Sequence, residues 1–82
     1  MQSSSEVTLT YPNTLELGST GKYISELNYL LSTIAYFDSD IPFYELDGDS
    51  FTDETKEMVK AFQTKYKLDS TGVVDSITWR YI

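Results

Sequence analysis

The stretch that decides the fold is residues 51–63, FTDETKEMVKAFQ, and its design returns in residues 74–82, VDSITWRYI. Each copy begins with an apolar residue, followed by Thr52 or Asp75. The side-chain oxygen of either residue can cap the first free N–H groups of a helix. Another apolar residue follows one or two helical turns later in both copies. The two stretches therefore predict two capped helices.

The first of these helices is predicted from about residue 53 to residue 66. Asp53 and Glu54 suit the positive end of the helix dipole, and Lys65 and Lys67 lie near its negative end. Its buried face is predicted to carry Thr55, Met58, Val59, Phe62 and Tyr66. The second helix, residues 76–82, is too short to persist alone in water. Trp79 and Ile82 must therefore face the core.

An earlier helix is predicted after a turn at residues 15–21, with Ser19 or Thr20 as its N-cap. Its apolar residues recur at the three- and four-residue spacing of one helical face, which predicts a core stripe of Ile24, Leu27, Leu30, Leu31 and Ile34. Tyr23 and Tyr29 lie off this stripe, where packing at the edge of the core is favoured over an exposed contact.

Two further segments complete the expected organisation. Residues 35–51 are predicted to be a long connection that folds over the helices, because a loop so rich in aromatic residues is not typical of disorder. Residues 1–13 are interpreted as a leader or linker that lies along the domain, with Val7, Leu9 and Tyr11 alternating in a short extended segment before a turn at Pro12. Residues 14–82 then form a single small domain.

The order and spacing of several short motifs carry a resemblance to a known family. These motifs are Leu17-Gly18-Ser19, Ile24-x-x-Leu27, Asp47-Gly48, Phe51-x-x-x-Thr55, Val59-x-Ala61-Phe62-Gln63, Leu68, Gly72-x-Val74 and Thr78-Trp79. Together they resemble the peptidoglycan-binding domain family. Tyr11-Pro12 and the connection from Ile34-Ala35-Tyr36 to Ile41-Pro42 are similar to a branch of that family found in wall- and spore-associated proteins of clostridia and their relatives.

The resemblance implies an all-α, three-helix bundle without catalytic activity. Such a module anchors a larger extracellular protein to peptidoglycan of the cell wall or spore cortex, and it is expected to be fused to a wall-lytic or spore-associated domain. The alternative is a protein–protein interaction or assembly module with the same fold that has lost glycan binding. The expected core is Leu17, Ile24, Leu27, Leu31, Phe51, Val59, Phe62, Leu68, Val74, Trp79 and Ile82.

The sequence departs from the family pattern at positions with a physical meaning. Asn28 stands where the family usually has Gln, so the same amide is carried on a shorter arm. Thr52 and Asp75 replace glycines, and both are good caps. Lys67 replaces a Gly or Asn at the end of the second helix. A left-handed cap there would be strained by about 1 kcal/mol, unless a different turn is used.

Composition excludes several classes of function. The 82 residues include no Cys and no His, which removes disulfides, the commonest zinc ligands and the commonest general base. A net charge of −7 is the wrong sign for binding nucleic acid or anionic lipid, and no stretch approaches the roughly 20 apolar residues of a membrane span. The leader lacks the pattern of a signal peptide, so we expect a piece of a longer protein. We expect no cofactor.

The acidic residues are concentrated in one region, between Asp38 and Glu57. A calcium loop starting at Asp47 fails, because Phe51 and Met58 stand where oxygen ligands are required. A pair of carboxylates for glycoside hydrolysis would need a cleft that three short helices do not offer. The region is therefore interpreted as a solvated acidic loop.

Binding is the remaining chemistry, and it asks for aromatic faces together with polar partners. The candidate ligand-binding residues are Ser19, Tyr23, Asn28, Tyr36, Tyr44, Gln63 and Tyr81. Each of them also has a structural interpretation. The tyrosines can cover the edge of the core, Ser19 can cap a helix, and Gln63 can brace the loop that follows it.

Overall fold

A computed structural model of the chain describes residues 14–46 and 48–82, and these residues contain three α-helices. Helix α1 is Lys22–Phe37, α2 is Asp53–Lys65 and α3 is Ser76–Tyr81. The described residues add only isolated antiparallel bridges, which join Leu15 to Val74 and Thr20 to Ser50. The expected all-α, three-helix fold is confirmed. The linker predicted for residues 1–13, and Asp47 of the acidic loop, lie outside the described residues.

The helices enclose one apolar core. Its buried members are Leu15, Ile24, Leu27, Leu31, Ala35, Ile41, Phe51, Met58, Val59, Phe62 and Val74. Trp79 and Ile82 of the last segment are partly buried and pack against this cluster, and Leu68 is also partly buried. The ring of Phe62 thus lies inside the core, with the Trp79 side chain packed against the cluster that contains it.

The prediction that Leu17 belongs to the core is wrong. Leu17 is 50% exposed because it lies at the tip of a turn in which the N–H of Ser19 donates to the carbonyl of Glu16 at 2.8 Å. Leu15 is buried instead. Its backbone exchanges two hydrogen bonds with Val74, at 3.0 and 2.8 Å, which holds the segment before α1 against the segment before α3.

The prediction of Ser19 or Thr20 as the N-cap of α1 is also wrong. The N-cap is Gly21, with no side-chain cap and a φ of 118°, a conformation that favours glycine. The reason is a backbone pairing with residues 49–51. Gly21 donates to the Asp49 carbonyl, and Phe51 donates to the Ser19 carbonyl. Because of this pairing, the helix begins after Gly21 rather than after Ser19 or Thr20.

Helix α1 continues to Phe37, so the connection predicted for residues 35–51 begins later, after the helix. As expected, this connection folds back onto the helices, because Ile41 is buried in the core and Leu46 packs against it. An ion pair between Asp38 and Lys65 joins its start to the last turn of α2. The hydrogen bond from Lys65 holds the pKa of the Asp38 carboxyl below its usual value.

The other helix ends follow the sequence prediction. Thr52 and Thr55 form a reciprocal capping box at the start of α2, and Asp75 caps α3 by accepting from the Thr78 N–H at 2.9 Å. At the end of α2, Lys67 adopts a left-handed conformation with φ 62°. The N–H of Leu68 donates to the Gln63 carbonyl, and the N–H of Lys67 to that of Thr64. This is a Schellman motif with lysine at the position that normally carries glycine.

Candidate functional site

Two of the seven predicted site residues are buried amides, and Asn28 is the first. Its side chain is 2% exposed. Its Nδ2 donates to the carbonyls of Gly48 and Ser50 at 3.2 and 3.1 Å, and its Oδ1 accepts from Thr55 Oγ1 at 3.1 Å. Asn28 therefore ties α1 to the loop before α2 and to the α2 capping box, and its polar atoms already have protein partners.

Gln63, on α2, is the second buried amide, and its side chain is 1% exposed. Its Nε2 donates to the Val73 carbonyl at 2.9 Å and to Thr78 Oγ1 at 3.0 Å, while its Oε1 accepts from the N–H of Gly72 at 3.0 Å. These bonds join α2 to the loop before α3 and to α3 itself. The structural interpretation of Gln63, a brace for the following loop, describes this geometry.

Ser19 is engaged locally. Its Oγ accepts from the N–H of Glu16 at 3.1 Å, inside the turn that exposes Leu17. Its side chain is partly buried and stabilises the turn rather than the helix that follows. These contacts are sufficient to explain a hydroxyl at this position.

The structure places the predicted tyrosines on separate surfaces. Tyr44 lines a groove of about 320 Å³ together with Asn28, and Glu45 and Glu54 line the same groove. Tyr81 lines a hollow of about 580 Å³ on α3, beside Ile77 and Arg80. Tyr23 lies at the start of α1, with Lys22 Nζ 5.7 Å from its ring centroid. Only Asn28 and Tyr44 of the seven share one of these grooves.

Tyr36 belongs to a cluster of exposed rings that sequence reasoning did not assemble. We call this cluster the aromatic face, and its members are Tyr29, Tyr36, Phe37 and Phe43. Their side chains are 69, 73, 80 and 51% exposed, respectively. The Tyr36 centroid lies 5.0 Å from that of Phe37 and 6.2 Å from that of Phe43, with the rings edge to face. The prediction that Tyr29 packs at the edge of the core is thus wrong.

A signal for part of this cluster was present in the sequence. Tyr36 lies seven residues after Tyr29, and Phe37 lies eight residues after Tyr29. All three therefore lie on one side of a continuous helix, away from the core stripe. The early end predicted for α1 concealed this spacing. Phe43 joins them from the connection, and only the fold shows that contact.

Two carboxyl groups of the described residues, Asp38 and Asp75, have lowered pKa values, and both take part in contacts that join or cap helices. The backbone N–H of Thr78 holds the pKa of the Asp75 carboxyl below its usual value, because it stabilises the ionised cap. Among residues 14–46 and 48–82, no three carboxylates lie close enough together to hold a metal ion. In the same part of the chain, no helix is long and apolar enough to cross a membrane.

Comparison with known families decides the assignment. The family model described as "Putative peptidoglycan binding domain" matches residues 20–82, which include all three helices. The chain belongs to the peptidoglycan-binding domain family. No curated protein matches it.

Membership makes this peptidoglycan-binding domain a binding module associated with the bacterial cell wall. The matched residues contain the Thr52 and Asp75 caps, the two buried amides and the aromatic face. In this domain the side-chain amides of Asn28 and Gln63 join the helices and loops, while rings on α1, α3 and the connection are exposed. The binding surface must therefore be sought among exposed side chains.

Proposed function

We propose that this domain anchors a larger bacterial protein to peptidoglycan, in the cell wall or the spore cortex, without taking part in catalysis. The observation that carries the proposal is the family match across residues 20–82. Exposed aromatic rings on several surfaces support the proposal, because such rings can supply contact area for a wall polymer. The many acidic side chains of this chain would instead repel an anionic wall polymer.

The proposal extends to the context of the domain. The parent protein acts outside the cell, and the partner domain is a wall-lytic or spore-associated enzyme that the module holds near its substrate. The similarity of Tyr11-Pro12 and residues 34–42 to the clostridial wall and spore branch supports this placement. Holding an enzyme at an insoluble substrate raises its effective concentration there, which is a sufficient reason for a domain without chemistry of its own.

Sedimentation with purified, insoluble peptidoglycan tests the proposal. We expect the chain to co-sediment with peptidoglycan and to stay in solution with cellulose of equal mass. A folded protein of similar size and negative charge serves as the matched control for non-specific trapping. The supernatant should contain no released wall fragments, because the domain is a binding module. Absence of sedimentation at every salt concentration would contradict the proposal.

One observation favours the alternative, a protein–protein assembly module. Phe37 is the most exposed of the large apolar side chains in the described residues, and it belongs to the aromatic face, a group of neighbouring exposed rings of the kind that marks interaction sites. If this alternative holds, the chain fails to sediment with peptidoglycan and its aromatic face is covered by another protein. The same sedimentation experiment therefore separates the two functions.

A further inference from the structure

The aromatic face surrounds an open groove, and the residues described along its wall carry no charge. The groove has a volume of about 270 Å³ and is lined by Tyr29, Ser32, Thr33, Tyr36, Phe37 and Phe43. This lining is unusual in a chain with thirteen acidic residues and a net charge of −7. Among these six lining residues, a ligand with a positive charge finds no carboxylate, and a ligand with a carboxylate finds no cation. The lining suits an uncharged ligand.

The two hydroxyl side chains that line the groove, Ser32 and Thr33, both make hydrogen bonds within the fold. Thr33 Oγ1 donates to the Tyr29 carbonyl at 2.9 Å, and Ser32 Oγ lies within hydrogen-bonding distance of the Tyr44 carbonyl and the Leu46 N–H. These hydroxyls are occupied by the fold. The exposed phenol groups of Tyr29 and Tyr36 are the groups that can reach a ligand, beside ring faces that attract partly positive C–H groups.

The size of the aromatic face argues against a protein as its occupant. Four rings of this kind, exposed to the extent described above, offer roughly 500 Å² of surface. A stable protein–protein interface needs about 800 Å² from each partner. A second copy of the chain or a folded protein partner would therefore need much additional surface beyond the aromatic face.

We propose that the aromatic face binds the uncharged sugar rings of the glycan strand, rather than the charged stem peptide. This inference rests on the proposed function and assigns it a surface and a ligand class. A sugar ring presents C–H groups on its faces and hydroxyl or acetamido groups at its edge, and it carries no net charge. The Tyr36 ring stands at 86° to Phe37 and 68° to Phe43, so the rings form the walls of a groove rather than a flat plate.

The test uses an uncharged glycan probe, the β-1,4-linked tetramer of N-acetylglucosamine, together with insoluble peptidoglycan. In a nuclear magnetic resonance titration, the tetramer should shift the amide signals of residues 33–37 and 43–44 and leave those of α3 unchanged. Tyr36→Ser and Phe37→Ser should each weaken binding of the tetramer and of peptidoglycan by about tenfold or more. Leu17→Ser, which removes an exposed apolar side chain from the turn before α1, is the matched control and should leave both affinities unchanged. Far-ultraviolet circular dichroism checks that each variant is folded.

The outcomes separate this inference from the proposed function. Wild-type chain that binds peptidoglycan, with full affinity retained by Tyr36→Ser and Phe37→Ser, would overturn the site and leave the function intact. Sensitivity of peptidoglycan binding to these variants without any response to the tetramer would overturn the sugar assignment in favour of the stem peptide. Concentration-dependent dimerisation that the same variants abolish would overturn it in favour of a second copy. Failure of the wild type to bind peptidoglycan would overturn both proposals.

Discussion

Lys67 has a backbone conformation that suits glycine better than a residue with a Cβ atom. Its φ of 62° lies in the left-handed region, which costs a residue with a Cβ about 1 kcal/mol more than glycine. We expect Lys67→Gly to raise the free energy of unfolding by about 0.5–1 kcal/mol, after allowance for the greater entropy of glycine in the unfolded chain. Urea denaturation followed by circular dichroism measures this change.

Lys67→Ala is the matched control, because it removes the same charge and keeps the Cβ. It should give no comparable gain in stability. An equal gain in both variants would mean that the lysine charge, rather than the left-handed backbone, limits stability at this position.

Gln63 allows the structural and ligand-binding interpretations to be separated. Replacing it by Met keeps a similar volume but leaves the buried N–H of Gly72 without its partner and removes the shorter of two hydrogen bonds to the Val73 carbonyl. Unsatisfied buried groups of this kind cost about 1–3 kcal/mol each, so we expect Gln63→Met to lower the free energy of unfolding by about 2–3 kcal/mol. Thermal and urea unfolding measure the loss.

Glu57→Met is the control for Gln63→Met, since it places the same side chain at an exposed position of α2. Its effect on stability should stay within about 0.5 kcal/mol. If Gln63→Met were as stable as the wild type but had lost peptidoglycan binding, Gln63 would be a ligand-binding residue and the brace would be unimportant.

Helix α3 depends at its start on an ionised cap, which makes its stability depend on pH. The Thr78 N–H holds the folded-state pKa of Asp75 below that of the unfolded chain. The contribution is therefore fully present above the unfolded pKa, about 4, and is lost as pH falls through the lower folded pKa. Asp75→Ala should cost about 1 kcal/mol at about pH 7 and less at about pH 2.5. Urea unfolding at the two pH values measures both differences.

Asp75→Asn provides the comparison for this element, because Asn also caps a helix but does not ionise. The stability difference between wild type and Asp75→Asn should change in favour of Asn as pH falls. The Asp38 carboxyl, whose pKa is also lowered, is present in both proteins and does not contribute to the difference. A difference that is independent of pH would contradict the role of the ionised cap.

The helix ends also show what the sequence could and could not predict. The starts of α2 and α3 were predicted correctly because Thr52 and Asp75 bond to atoms three residues away, within the same stretch. The start of α1 was not, because Gly21 bonds to Asp49 and the pairing partner is nearly thirty residues distant. Which of Leu15 and Leu17 enters the core depends in the same way on Val74. Helix caps that depend on nearby residues could be predicted from the sequence, whereas hydrogen bonds between distant segments could not.

The same distinction applies to the candidate site. The sequence allowed both a ligand contact and a structural brace for Gln63, and it did not identify the partners of the Asn28 and Gln63 amides, because most of these partners lie 9–27 residues away. Tyr36 was predicted as a contact residue, and its neighbours on α1 follow from helical spacing once the helix is extended to Phe37. Phe43 could not be placed, since it belongs to the irregular connection.

At the scale of the whole molecule, the shortest helix depends on its packing against the rest of the bundle. Helix α3 has six residues and cannot persist without tertiary contacts, and Trp79 packs its side chain against the core. We expect Trp79→Ala to lower the free energy of unfolding by about 3 kcal/mol, a large part of the stability of a domain this small. Ile77→Ala, at an exposed position of the same helix, should change it by less than about 1 kcal/mol. Equal effects of the two substitutions would mean that α3 is not anchored by Trp79.

Net charge determines how the whole molecule should respond to salt. A chain with a net charge of −7 is repelled at long range by anionic wall polymers, and salt screens this repulsion over about 10 Å at 0.1 M. If binding comes from short-range contacts of the uncharged aromatic face, the bound fraction should stay constant or rise as sodium chloride increases from about 20 to about 500 mM. Sedimentation with peptidoglycan across this range measures it, with a lysine-rich protein as a control that should dissociate. A steep decrease in binding of the wild type would instead mean that charge attraction holds the domain on the wall, which an uncharged groove cannot supply.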